Sequence, residues 1–237
     1  MNSSILYLIP SPLGEYECSR VLPERVTEVI ASLDTFVVEE VRTARRFLSA
    51  AGAKGRIQDM EFHTLNEHTS DEEVEALAAL FKDGKDVGLI SEAGLPAVAD
   101  PGARLVDLCH RIGIRVVPLT GPSSLMLALM ASGLNGQRFA FKGYLPVKPD
   151  ARKQALRSIE KRSKEENESQ IFIETPYRND SMLQDILSVC HGSTRLCIAC
   201  AITTDDEFIM TKSVSEWKKA VPSLGKRPCV FILLARP

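Results

Sequence analysis

Short aliphatic or β-branched runs alternate with amphipathic helical patterns along the first half of the chain, which predicts an α/β fold with a mostly parallel sheet covered on both faces. After residue 143, strand-like runs follow one another with few helices between them, which predicts a second α/β domain with a mixed, partly antiparallel sheet. A length of 237 residues fits this division, since a single core usually serves about 100–150 residues. The expected domains are residues 1–143 and 144–237.

Residues 5–9, 35–39, 87–91, 114–119 and 139–141 read as strands because their apolar side chains run nearly without interruption, as in strands buried on both faces. Between them, 22–33, 42–51, 70–81, 103–111 and 123–131 carry helical periodicity. The third of these opens S-D-E-E-V, so Ser70 is expected to cap the helix and the acids to complement its dipole. A proline-containing linker at 145–150 precedes a basic helix at 151–162 and a polar loop at 164–169. Strand 170–174, helix 179–190 and strands 195–202, 207–214 and 228–234 follow.

Hydrophobic residues make up 44% and charged residues 25%, enough apolar side chain for a packed core. A net charge of −2 excludes generic attraction to polyanions, although a local cluster of cations can still bind them. The apolar run at 5–9 is too short for a signal peptide or a membrane span and has no basic flank, so a cytoplasmic location without a membrane partner is expected. Six cysteines lie scattered among apolar neighbours, which fits buried thiols in a reducing compartment rather than a disulfide framework. Cys197 and Cys200 form C-x-x-C, but residues three apart on a strand face opposite ways, so neither metal nor redox use is expected of them.

The densest signal is I-S-E-A-G-L-P-A-V-A-D-P-G at 90–102, where a buried strand ends. Loops at the carboxyl ends of strands form the ligand crevice of open α/β sheets, and small residues there let a ligand approach the backbone. The plain alternative is a turn leading into a helix with Pro101 in its first turn. A second loop, L-T-G-P-S-S-L at 119–125, repeats the arrangement one strand later; its alternative is an N-cap and nothing more. Near the amino end, P-S-P-L-G stands where a dinucleotide-binding protein carries G-x-G-x-x-G, and G-K-[ST] is absent, so neither an NAD or FAD cradle nor a P-loop is expected.

P-S-P-L-G at 10–14, E-E-V-R at 39–42, L-N-E-H at 65–68, S-E-A-G-L-P-A-V-A-D-P-G at 91–102, V-P-L-T-G-P-S-S at 117–124, G-Y-L-P at 143–146 and E-T-P-Y-R at 174–178 together resemble the tetrapyrrole methylase superfamily. The likeness covers nearly the whole chain. It is nearest to the bacterial branch that methylates a cytidine ribose 2′-hydroxyl of small-subunit ribosomal RNA. The resemblance implies a two-domain α/β methyltransferase, usually a homodimer, with S-adenosylmethionine (SAM) folded in the cleft between domains. It further implies that Ser91, Glu92, Ala93, Gly94 and Pro96, with Ser123 and Ser124, touch the methionine part, and that Ile173 and Ala201 line the adenine. RNA on the small ribosomal subunit is then the expected partner.

The chain departs from that branch in four places. Gly14-Glu15 replaces G-N, E-E-V-R replaces E-D-T-R, S-E-A-G-L-P replaces S-D-A-G-T-P, and A-C-A-I-T-T at 199–204 replaces A-R-E-L-T-K. Glu92 preserves charge, whereas Cys200, Ala201 and Thr204 remove an Arg, a Glu and a Lys. Residues 142–164 hold eight cations against two acids, a local charge of +6, and in a helix Lys153, Arg157 and Lys161 share one face where phosphates can track; a solvated face is the alternative.

Methyl transfer is an in-line displacement that needs alignment rather than a metal or a covalent nucleophile. A ribose hydroxyl also needs a base, while a tetrapyrrole carbon supplies its own electron density. The candidates for catalysis are Glu39, Arg42 and Asn66, the last within a polar cluster with His63, Glu67 and His68 expected in a loop. His110 and His191 are expected to be structural. A small-molecule methylase and a SAM-binding protein without turnover are the other readings.

Overall fold

The apolar pentapeptide Ile5–Ile9 forms β1 and takes a central place in the first sheet. The computed structural model describes residues 4–14 and 18–235, so Glu15 lies outside the described residues. The chain divides into two units, Met1–Ser123 and Ser124–Pro237.

In the first unit, β1, β2 (Thr35–Val38), β3 (Glu61–Thr64), β4 (Val87–Ile90) and β5 (Arg115–Pro118) form a sheet in the order β3-β2-β4-β1-β5. Every pair is parallel. All residues of β2 and β4 are buried, which explains why their sequences are apolar without alternation. α1 (Glu24–Ser32) and α2 (Val41–Leu48) pack on Ile9, Phe36, Val38 and Ile90 on one face. α3 (Asp71–Ala76) and α4 (Gly102–Arg111) pack on Leu6, Val37 and Leu89 on the other. Ser70 caps α3 in a reciprocal capping box with Glu73. Because β1 leads over β4 to β2 while β4 leads over β1 to β5, the loops after these neighbours depart in opposite directions, and a crevice opens at their carboxyl ends.

In the second unit, β6 (Phe139–Tyr144), β7 (Ser169–Glu174), β8 (Arg195–Cys200), β9 (Phe208–Ser213) and β10 (Cys229–Leu234) are ordered β6-β7-β10-β8-β9. Only the β6–β7 pair is parallel. α5 (Ser124–Ser132) packs against β8, β9 and β10. α6 (Pro149–Glu166), α7 (Asn179–Val189) and α8 (Val214–Trp217) contribute Leu156, Ile186 and Trp217 to a core around Phe172 and Phe231. The Trp217 indole is buried and donates to the Leu196 carbonyl at 2.9 Å.

Four expectations change. The units part between Ser123 and Ser124 rather than at 143/144, because α5 and β6 belong with the second sheet: β6 pairs with β7, and Thr211 Oγ1 donates to the Ser132 carbonyl at 2.7 Å. β3 replaces an expected loop and places His63 on a strand. Helix 70–81 is α3 followed by a tighter turn, Leu77–Phe81. Cys200 and Cys229 face each other across β8 and β10 and are disulfide-bonded, contrary to the expectation of thiols throughout, while Cys18, Cys109, Cys190 and Cys197 are free and buried. Burial pushes the Cys109 and Cys190 thiols up to about 12.

Gly88 in β4 marks the tightest point of the first core. A Cβ there would lie 2.7 Å from Ile9 Cδ1 and 2.8 Å from the Phe36 ring. Gly88→Ala is therefore expected to destabilise the protein by about 1–3 kcal/mol through overpacking, read as a lowered melting temperature. Unchanged melting would show that Phe36 can yield.

Candidate functional site

Three loops at the carboxyl end of the first sheet are bound to one another. Ser11, just after β1, exchanges backbone hydrogen bonds with Gly94, at 2.9 Å from its N–H and 3.1 Å to its carbonyl, and its hydroxyl donates to the Ser91 carbonyl at 3.2 Å. Gly94 has φ +79°, and a Cβ there would lie 3.1 Å from Leu13 Cδ2. Gly121 packs so closely on Pro10 that a Cβ would overlap the proline ring. The glycine at 94 is thus demanded by its backbone angle and by Leu13. Its N–H and one lone pair of its C=O are taken by Ser11.

The loop continues under strain. Ala97 and Ala99 adopt left-handed conformations at φ +65° and +63°. Asp100 holds them there, its Oδ1 accepting from Ala97 N at 2.9 Å and Gly102 N at 2.7 Å. Its other oxygen is buried with no partner among the described residues. Left-handed alanines gather where the surrounding structure over-determines them, which is common at ligand sites. Along this loop Ser91 and Pro96 are buried and Glu92 and Ala93 exposed; Ser123 and Ser124 are half-buried.

A polar pocket opens beside this loop. It is lined by Glu39 after β2, Asn66, Glu67 and His68 after β3, and Ala99, Asp100 and Pro101 after β4. Glu39 accepts from the Glu92 backbone N–H at 3.0 Å. Burial pushes its carboxyl above the ordinary 4.5, and the Asp100 and Glu92 charges push the same way against that hydrogen bond. Burial also raises Asp100. Asn66 shapes the adjoining turn, its side chain accepting from His68 N at 2.9 Å while its N–H donates to Thr69 Oγ1 at 3.0 Å. Of the three catalytic candidates, the pocket brings Glu39 and Asn66 together. Arg42 is not among its lining residues; it lies with Arg45 and Arg46 along a separate groove on α2. Asp100 was visible in the sequence only as part of a loop motif, because its partners are backbone groups.

In the second unit a comparable loop follows β8. Ala201 and Thr203 are left-handed at φ +48° and +71°. Ala201 N donates to the Pro228 carbonyl at 2.9 Å, and Thr204 Oγ1 donates to the Ala201 carbonyl at 2.8 Å. Ile173, half-buried on β7, pairs with Val230. In E-T-P-Y-R, buried Glu174 takes two hydrogen bonds from Arg178, at 2.9 and 2.5 Å, so the motif closes on itself.

The basic helix is less free than its sequence implies. Lys153 turns toward Asp185 of α7 at 3.6 Å, beside Arg152, which is buried in a two-contact pair with the same carboxylate. Lys161 lies 3.7 Å from Glu165, and Arg162 3.0 Å from Glu168. Arg157 and Lys161 stay exposed. Among the described residues no helix is long and apolar enough to cross a membrane.

Residues 6–217 match the model of the tetrapyrrole (corrin/porphyrin) methylases. The chain is similar to proteins named ribosomal RNA small subunit methyltransferase I. With that of Haemophilus influenzae it is 34% identical, covering 99% of this chain and 80% of the relative. With that of Vibrio cholerae it is 35% identical, covering 91% and 70%. A solved uroporphyrin-III C-methyltransferase from Thermus thermophilus, complexed with S-adenosylhomocysteine, shares the fold at a TM-score of 0.56 and 16% identity, covering 97% and 96%.

The raised Glu39 carboxyl gives a stability signature. A carboxyl whose folded-state pKa is raised favours the folded state when protonated and loses that contribution as pH rises through the raised value. Glu39→Gln removes the charge and keeps an oxygen for Glu92 N–H. It is expected to raise the melting temperature at neutral pH, the gain vanishing as pH falls below the ordinary carboxylate range. A scan of melting temperature against pH for both proteins checks this.

Proposed function

Because the chain belongs to the tetrapyrrole (corrin/porphyrin) methylase family, we propose that it transfers the methyl group of SAM to a ribose 2′-hydroxyl of small-subunit ribosomal RNA, with Glu39 as the general base. The observation that carries the choice of acceptor is the pocket: carboxylates and an amide line it, where a tetrapyrrole would need a wide apolar trough. The names of the relatives, at 34–35% identity, support the same acceptor.

Bound SAM would supply an electrophilic methyl on a sulfonium, open to in-line displacement. The residues present suit such a ligand: the 91–101 loop is held in a strained shape with small side chains at Ala93, Ala97 and Ala99, and Asp100 keeps one buried acceptor oxygen without a partner among the described residues. Ser91, Glu92, Ala93 and Pro96, with Ser123 and Ser124, are the proposed contacts to its methionine part. Glu39 takes the hydroxyl proton as the oxygen attacks, and its raised pKa makes it a stronger base than a solvated glutamate. Asn66, across the pocket, is the proposed group that orients the ribose.

We also propose a homodimer. α5 has no charged residue and is apolar all round, yet Met126 and Met130 on it are exposed, Met130 by 79%. A helix of that composition is normally covered, and a second copy is the occupant the family resemblance supports.

One SAM per chain is expected by calorimetry, and labelled SAM is expected to mark small ribosomal subunits. Glu39→Gln should lower kcat about 10²–10⁴-fold with little change in SAM affinity, and remove the acidic limb of the pH profile, since only the deprotonated carboxyl acts. Retained activity in this variant would rule Glu39 out. Sedimentation should report about twice 26.1 kDa, and Met130→Glu should give a monomer.

A further inference from the structure

We infer that the arginine-lined groove along α2 holds backbone phosphates of the acceptor RNA next to the Glu39 pocket. The inference rests on the RNA reading above and assigns its phosphate contacts to a surface other than the α6 face.

Arg42, Arg45 and Arg46 line this groove together with Glu40, three arginines to one carboxylate, and Ser49 and Ala50 continue it. Positions 42, 45, 46 and 49 are spaced three and four apart, so they form one stripe of the helix. The three guanidiniums span about 6 Å along its axis. Like charges at this spacing repel, and α2 contains no acid to offset them. The Glu40 carboxylate caps the helix; hydrogen bonds from the Arg42 and Thr43 N–H groups, with the Arg42 charge, hold it below its ordinary value. Its oxygens accept from Arg42 N at 2.9 Å, Thr43 N at 2.7 Å and Thr43 Oγ1 at 3.0 Å. Among the described residues neither Arg42 nor Arg45 forms an ion pair with a carboxylate.

Arg45 is also held in place. Its guanidinium lies 5.1 Å from the centroid of the Phe62 ring, so less side-chain freedom is lost when it meets an anion. Guanidinium is suited to phosphate because its donors fork around two oxygens. On α6, by contrast, Lys153 and Lys161 each have a carboxylate within 4 Å. Proximity completes the case. α2 begins two residues after Glu39, so a strand whose phosphate rests on Arg42 has its ribose near the proposed base.

The test uses the full chain, small ribosomal subunits and labelled SAM. Arg42→Gln/Arg45→Gln should raise KM for subunits at least tenfold while SAM affinity, measured by calorimetry, is unchanged. The slope of log KM against log salt should fall by about 1.4, the value for two phosphate contacts on single-stranded RNA. Ala50→Glu, which adds a carboxylate to the groove and leaves every arginine in place, should raise KM in the same direction and guards against misfolding of the first variant. Arg42→Lys/Arg45→Lys should recover part of the loss. If the wild type methylates subunits and both the glutamine and Ala50→Glu variants match it in KM and salt slope, the groove is solvated surface and the inference is overturned. If the wild type marks no RNA at all, the acceptor reading itself fails and this inference falls with it.

Discussion

Asp100 fixes the loop on which the rest of the site depends. Two left-handed alanines flank the turn it closes, and each costs roughly 1–2 kcal/mol relative to an ordinary backbone. Two hydrogen bonds to one carboxylate oxygen, at about 1.5–3 kcal/mol each, are enough to hold that strain. The same residue lines the Glu39 pocket, where its charge helps raise the Glu39 carboxyl. Asp100 thus links the strain of the loop to the pocket, where it adds to the burial that chiefly raises Glu39. A carboxylate that clamped the backbone and pointed to bulk solvent would hold the loop without raising Glu39.

The run E-E-V-R-T-A-R-R separates its charges by a change of secondary structure. Successive residues leaving a strand point to opposite sides, so Glu39 goes to the pocket while Glu40 goes to the helix it caps. The arginines then follow at helical spacing along α2. The run thus divides between a pocket that holds the Glu39 carboxyl above its ordinary pKa and a groove where Glu40 lies among three arginines. Had the helix begun two residues earlier, Glu39 would lie on its surface beside the arginines and be neutralised by them.

Much of this was legible in the sequence, for physical reasons that also explain the gaps. Strands buried on both faces, such as β2 and β4, announce themselves as apolar runs, and the strand-end loops by their glycines and prolines. β3 is an edge strand with the sequence E-F-H-T, half exposed, so it has no apolar run to betray it. The unit boundary was hidden because strand and helix keep alternating through α5 and β6. The Cys200–Cys229 pair is separated by 29 residues and depends on the register of β8 against β10, which no spacing rule reveals. Lys153 shares its helical face with Arg157 and Lys161, but its orientation is decided by Asp185, 32 residues away on another helix. Glu39 was legible as a candidate from its motif; its raised carboxyl was not, because that comes first from burial and then from Asp100 and Glu92 on the loop after β4.

The departures at 199–204 acquire a structural meaning from these contacts. Cys200 is fully buried and bonded to Cys229, so an arginine at that position would put an unpaired charge into the core. Ala201 is left-handed and held by the Pro228 carbonyl and the Thr204 hydroxyl, while Thr203 N donates to the Glu207 carboxylate at 2.7 Å. The first unit keeps the glutamate and arginine of E-x-x-R as Glu39 and Arg42, together with the Asp100 clamp. Loss of charge on one unit and retention of Glu39 and Arg42 on the other are compatible with turnover, because the proposed base, the strained loop and the arginine stripe all come from the same parallel sheet and the helix that follows its second strand.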